Sequence, residues 1–157
     1  MRRLFEGRLF DVLEEGGYEI VDHPGSVAIV AVDREGRIVL VRQPRVPAHR
    51  KLVELPAGTL EPGEEPEATA KRELREETGL HGGSWSRIAR FWTTPGFVRE
   101  QMHLYLARDL DEGEPETEDD EEIDLLRWTP KDVEARLGEI EDAKTLAGLL
   151  LYLRQCR

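Results

Sequence analysis

Gly58-Thr59-Leu60-Glu61-Pro62-Gly63-Glu64-Glu65-Pro66-Glu67-Ala68-Thr69-Ala70-Lys71-Arg72-Glu73-Leu74-Arg75-Glu76-Glu77-Thr78-Gly79-Leu80 is the stretch on which the reading of this chain turns. Pro66 sits near the first turn of a run of good helix formers that stops at Gly79, which predicts a helix from about Glu65 to Thr78. On it Glu73, Glu76 and Glu77 stand at i, i+3 and i+4, so their carboxylates share one face within reach of a common point. Like charges at that spacing destabilise a helix. Three glutamates without matching lysines are a poor stabilising device and a sensible cage for a hard divalent cation, whose ligands are carboxylate oxygens, water and phosphate. Glu64, in the loop before the helix, can join the cluster. Arg72, beside Glu73 and four residues before Glu76, has the rigid fork to hold carboxylates in orientation. Ala70 and Leu74, with Leu80 past the helix end, face the other way and are expected to dock it on a sheet.

Working outward, alternating or β-branched runs predict strands at Tyr18 to Asp22, Ser26 to Val32, Ile38 to Arg42, Lys51 to Leu55, Ser86 to Trp92, Gln101 to Ala107 and Ile123 to Trp128. Asp33-Arg34-Glu35-Gly36 reads as a hairpin loop, Pro62-Gly63 and Pro95-Gly96 as sharper turns, and most neighbouring strands are expected to pair as hairpins. Two further helices are expected, Pro130 to about Leu137 and Asp142 to about Gln155, the latter with Leu146, Leu149, Leu150 and Leu153 as a packing stripe. Between Asp111 and Glu122 the chain is almost wholly acidic, with Gly113 and Pro115 breaking regular structure.

The 157 residues fit one domain, and the single cysteine, Cys156, excludes an internal disulfide framework. The longest apolar stretch, Leu146 to Leu153, is too short to span a bilayer, and a cytoplasmic location is expected. A formal charge of −11 argues against a non-specific grip on nucleic acid or an anionic membrane. An anionic substrate would then need bound cations to offset its charge.

The segment resembles the Nudix box, Gly-x5-Glu-x7-Arg-Glu-U-x-Glu-Glu-x-Gly-U with U apolar, at Gly58, Glu64, Arg72, Glu73, Leu74, Glu76, Glu77, Gly79 and Leu80. A chance match in a chain this rich in Glu and Arg is on the order of 10⁻⁵. Leu55-Pro56-Ala57-Gly58, Pro95-Gly96-Phe97 and Asp142-Ala143-Lys144-Thr145-Leu146 extend the resemblance towards the ADP-ribose pyrophosphatase branch. It implies an α+β fold: an α/β/α sandwich around a central mixed sheet, with residues 1–24 as an antiparallel strand extension and dimer contact, and 25–157 as the catalytic core. It implies hydrolysis of the pyrophosphate bond of a nucleoside diphosphate joined to another moiety, with Mg²⁺ (or Mn²⁺ in its place) held by Glu73, Glu76, Glu77 and the carbonyl of Ala57.

The base that takes the proton of the attacking water is left between two readings. One is Glu121 in the acidic loop, with Glu118 and Glu122 as alternates; the other is Glu76 acting with the metals. By the same resemblance Arg45, Glu61 and Phe97 contact substrate, and Arg8, Leu9 and Glu19 reach the nucleoside across a homodimer interface, although Glu15-Gly16-Gly17 makes that N-terminal segment compact. The resemblance also takes in Pro95, sixteen residues after Gly79, where many ADP-ribose and nucleotide-sugar hydrolases of the family carry proline, and so implies such a substrate rather than a triphosphate or dinucleotide. A non-catalytic nucleotide-sensing module is the reading from another class, and such modules typically lose box glutamates that this chain keeps. Trp85, Trp92, Trp128 and Tyr105 are read as core, and His23, His49, His81 and His103 show no metal-ligand spacing.

Overall fold

The computed structural model describes residues 1–116 and 122–156. In chain order the elements are β1 (Arg2–Glu6), β2 (Asp11–Glu15), β3 (Tyr18–Asp22), β4 (Ser26–Val32), β5 (Ile38–Arg45), β6 (Arg50–Glu54), β7 (Ala57–Thr59), α1 (Pro66–Thr78), β8 (Ser84–Trp92), β9 (Val98–Arg99), β10 (Gln101–Arg108), β11 (Asp124–Trp128), α2 (Pro130–Arg136) and α3 (Ala143–Gln155). β4 is the centre: every one of its residues is buried, the pattern of a strand covered on both faces. Val27, Ile29 and Ala31 pack with Ala70, Leu74 and Leu80 of the α1 region. Ala28, Val30 and Val32 pack with Val133 of α2 and Leu149, Tyr152 and Leu153 of α3. The result is an α/β/α sandwich.

The central sheet runs β11-β5-β4-β10-β8, with β6 paired to β5 and β7 to β4. Strands adjacent in sequence pair antiparallel as expected at β1–β2, β2–β3, β4–β5 and β5–β6. The middle pair of the central sheet, β4 and β10, distant in sequence, is parallel, Ser26 opposite Met102 through Ala31 opposite Ala107, which makes the sheet mixed. Only backbone contact between distant segments decides that pairing, and local pattern does not encode it. The sheet also parts. β5 pairs with β4 only at Ala31–Val39 and Val32–Ile38; beyond that point β4 takes β7 as its neighbour and β5 takes β6. The Ile29 amide donates to the Pro56 carbonyl at 2.9 Å where the chain crosses the gap. This seam faces α1.

The first three strands form an antiparallel meander to which β9 adds in parallel, Val21 opposite Val98. Gly16 and Gly17, at φ 61° and 84°, make the two-residue turn between β2 and β3. Asp142 caps α3, and the Thr145 hydroxyl accepts the Leu55 amide at 2.8 Å, tying that helix to the start of the seam.

Candidate active site

α1 begins at Pro66 with Glu65 as a non-helical cap and ends at Gly79, whose φ of 76° lets the chain leave in a left-handed turn. A side chain there would also collide with the Gly113 carbonyl, 2.2 Å from an added Cβ. The helix lays its acidic face against β7. The approach is close enough that a Cβ on Gly58 would stand 1.9 Å from the Glu73 carboxyl carbon. A side chain at this position would displace the Glu73 carboxylate. One turn on, Glu77 accepts the Ala57 amide at 3.2 Å.

Arg72 organises the remaining acids. Its Nε and Nη2 grip Glu64 at 3.2 and 3.0 Å, and its Nη1 donates to Glu73 at 2.9 Å and Glu76 at 3.0 Å. The fork thus joins the loop before α1 to two turns of the helix. Hydrogen bonding to Arg72 lowers the pKa of Glu64. Burial raises that of Glu73; Arg72 opposes the rise, and the nearby Glu76 and Glu64 charges add to it.

Arg72 meets three carboxylates, Glu64, Glu73 and Glu76, so this part of the cluster keeps an excess of negative charge. Among the described residues no three His, Cys, Asp or Glu side chains converge as a ready set of metal ligands: Glu73 and Glu76 are turned onto Arg72, and Glu77 onto the Ala57 amide. The donor chemistry nonetheless fits a hard divalent cation, because carboxylate oxygens and a backbone carbonyl lie half-buried beside a surplus of acid.

A cleft of about 550 Å³ opens over this face, lined by Arg8, Leu9, Gln43, Arg45, Ala57, Glu61, Arg72, Glu73 and Glu77 among others. Most of the residues singled out in the sequence therefore meet. Arg8 and Leu9 reach it from within the same chain, through the turn between β1 and β2. A second cleft of about 370 Å³ shares Arg45 and Ala57–Thr59 with the first and adds His23, Glu100 and Lys144. Phe97 lies elsewhere, exposed in a groove with Tyr18 and Trp92, and Glu19 is exposed on β3. Trp128 and Tyr105 are core, but Trp92 is half exposed.

Glu121 and Glu118 lie outside the described residues. Their neighbours on either side are anchored: the Glu116 amide donates to the Glu76 carbonyl at 2.9 Å, and Glu122 accepts from Lys51 at 2.6 Å.

Sequence reasoning missed Glu54. It is fully buried, held by both arms of the Arg45 fork at 2.7 and 2.9 Å and by Lys144 at 2.6 Å. Burial pushes its carboxyl up, but the two cations outweigh that and leave it below the ordinary value. Hydrogen bonding to Glu54 in turn raises Arg45. A lone acid inside the apolar run before Leu55 was the available signal, since a buried charge implies a buried partner.

A NUDIX domain model matches residues 22–149. The chain belongs to the Nudix family. It is 43% identical to the ADP-ribose pyrophosphatase of Bacillus subtilis (strain 168) over 97% of this chain and 89% of the relative. It is likewise 43% identical to the methanol dehydrogenase activator of Bacillus methanolicus, over 82% of this chain and 71% of the relative. The crystal structure of an ADP compounds hydrolase superposes with a TM-score of 0.82 at 22% identity, covering 98% of this chain and 90% of that one. The acidic face of α1, β7 and every lining residue of the cleft except Arg8 and Leu9 lie within the matched Nudix residues.

Proposed function

We propose that this Nudix chain hydrolyses the pyrophosphate bond of a nucleoside diphosphate joined to another moiety, with ADP-ribose, cut to AMP and ribose 5-phosphate, as first substrate and related nucleotide sugars next. The observation that carries the reading is the single cleft in which Arg8, Arg45 and Glu61 meet the acidic face of α1. Its cations suit a diphosphate and its excess carboxylates suit the divalent ions that accompany one. The likeness to an ADP-ribose pyrophosphatase over nearly the whole of both chains supports the substrate class.

Glu73, Glu76, Glu77 and the Ala57 carbonyl would hold Mg²⁺, with Mn²⁺ as a substitute. When bound, the metal offsets phosphate charge and lowers the pKa of a coordinated water. Arg72 keeps the acidic face in orientation through Glu64, Glu73 and Glu76, and Arg45, fixed by Glu54 through Nε and Nη2, offers its Nη1 to a phosphate. Water attacks one phosphorus, the bridging P–O bond breaks towards the other phosphate, and a carboxylate takes the proton. Glu76 and Glu121 are the two groups assigned that proton. Glu76 is supported by sharing the α1 face with Glu73 and Glu77, and Glu121 by following Glu116, whose amide donates to the Glu76 carbonyl. Leu9 serves the nucleoside; Phe97 and Glu19 would serve a substrate only across a subunit contact, so the working form is a homodimer built on residues 1–24, with 25–157 as catalytic core. The protein is assigned to the cytoplasm, with no nucleic-acid or membrane partner.

The test is product analysis with Mg²⁺ over ADP-ribose, nucleotide sugars, dinucleotides and triphosphates, beside Glu77→Gln. AMP and ribose 5-phosphate from ADP-ribose, lost in the variant without loss of fold, is the expected result. Preference for triphosphates or dinucleotides would refute the substrate, and binding without turnover would make the chain a sensor.

A further inference from the structure

Gln43 lies on β5 two residues from Arg45, so both side chains fall on the same side of the strand, and both line the cleft over α1. Their situations differ. Arg45 is spoken for by Glu54. The Gln43 side-chain nitrogen is shielded from solvent and has no hydrogen-bond partner among the described residues. An amide that donates to nothing in such a place carries a desolvation penalty without a compensating bond. A ligand can supply the acceptor, and the space in which the nitrogen can find one is the cleft that Gln43 lines.

The occupant proposed for this cleft brings a dense set of acceptors in its diphosphate, and few other groups would suit a neutral donor set beside a guanidinium. We infer that Gln43 is a binding residue whose Nε2 donates to a non-bridging phosphate oxygen of the bound nucleoside diphosphate, next to the phosphate contact of Arg45. This rests on the proposed function for the identity of the ligand. It predicts that Gln43 stabilises the complex at the expense of the free protein, an opposition of sign that a residue kept for packing cannot produce.

Gln43→Met keeps the length and approximate volume of the side chain and removes the donor. The free variant should melt about 2–4 °C above wild type, the size expected for relieving one unsatisfied donor in a chain of this length. KM should rise about tenfold, as for a hydrogen bond to a charged acceptor, with kcat changed far less. The rise should be similar for ADP-ribose and for nucleotide sugars with other bases, since the diphosphate is what they share. Gln43→Ala should show the same KM change, so a misfolded methionine variant cannot decide the matter.

An unchanged KM in an active enzyme would overturn the inference and leave the proposed function standing. A rise confined to adenine nucleotides would overturn the assignment to phosphate. A wild type that neither binds nor cleaves any member of the panel would overturn the proposed function and the ligand named here with it.

Discussion

At the residue scale, the buried carboxylate of Glu54 shows how charge rather than shape fixes one wall of the cleft. It is almost wholly out of solvent, and its two partners come from different elements, Arg45 from β5 and Lys144 from α3. Because its folded pKa lies below the ordinary 4.5, its contribution to stability is complete above that value and is lost as pH falls through the lowered one. Glu54→Gln is expected to cost about 2 kcal/mol at neutral pH, less than a fully buried pair would, since Arg45 remains about two-fifths exposed. Melting curves between pH 3 and 7 check this. The variant should lose part of the acid-side fall in Tm seen in wild type, and parallel curves would refute the assignment. The acidic face of α1 was legible residue by residue, because a period of 3.6 puts Glu73, Glu76 and Glu77 together whatever surrounds them. That Arg72 also reaches Glu64 was not, since the path of the loop from Gly58 to Glu65 decides it.

At the scale of elements, β4 was readable to its ends, because the apolar run from Val27 to Val32, set between Gly25 and Asp33, leaves little else for it to be. β1 and β2 escaped as separate strands because β1 is exposed along its whole length and shows no alternation. β7 and β9, of three and two residues, are too short to carry any period. Yet β7 is the element that sets the site, since Gly58 and Ala57 lie on it. Its position depends on α3 through Thr145, whose hydroxyl donates to Asp142 at 2.5 Å while it accepts the Leu55 amide. Thr145→Val keeps the shape and strands that amide, which should cost about 1–3 kcal/mol and lower Tm by several degrees. Turnover should fall more than the stability loss alone explains, as β7 shifts against α1. A variant of lowered Tm and unaltered kcat would show that β7 is positioned by its pairing with β4 alone.

At the scale of the molecule, the N-terminal sheet presents apolar side chains to solvent: Leu4 is 43% exposed, Phe5 53% and Tyr18 70%. Its outer strand, β1, pairs with β2 on one edge only, and such an edge is a template for another chain. The proposed homodimer would cover both. Sedimentation should therefore report twice the 18.0 kDa chain mass, with Phe5→Glu shifting the protein to monomer and reducing turnover. A wild-type monomer at full activity would dismiss the pairing.

β4 and β10 lie side by side, yet most of the cleft, from Gln43 on β5 to Glu77 on α1, belongs to the stretch of chain that their pairing closes into a loop. Contacts between such distant segments form slowly, because the entropy of closure is spent before the pairing rewards it. The walls of the site are then among the last features to appear during folding. Ligands should act on the return journey alone: nucleotide with divalent metal should lengthen the unfolding half-life and leave the refolding rate as it was. Stopped-flow refolding accelerated by ligand would mean that α1 and β7 find each other before the central strands do.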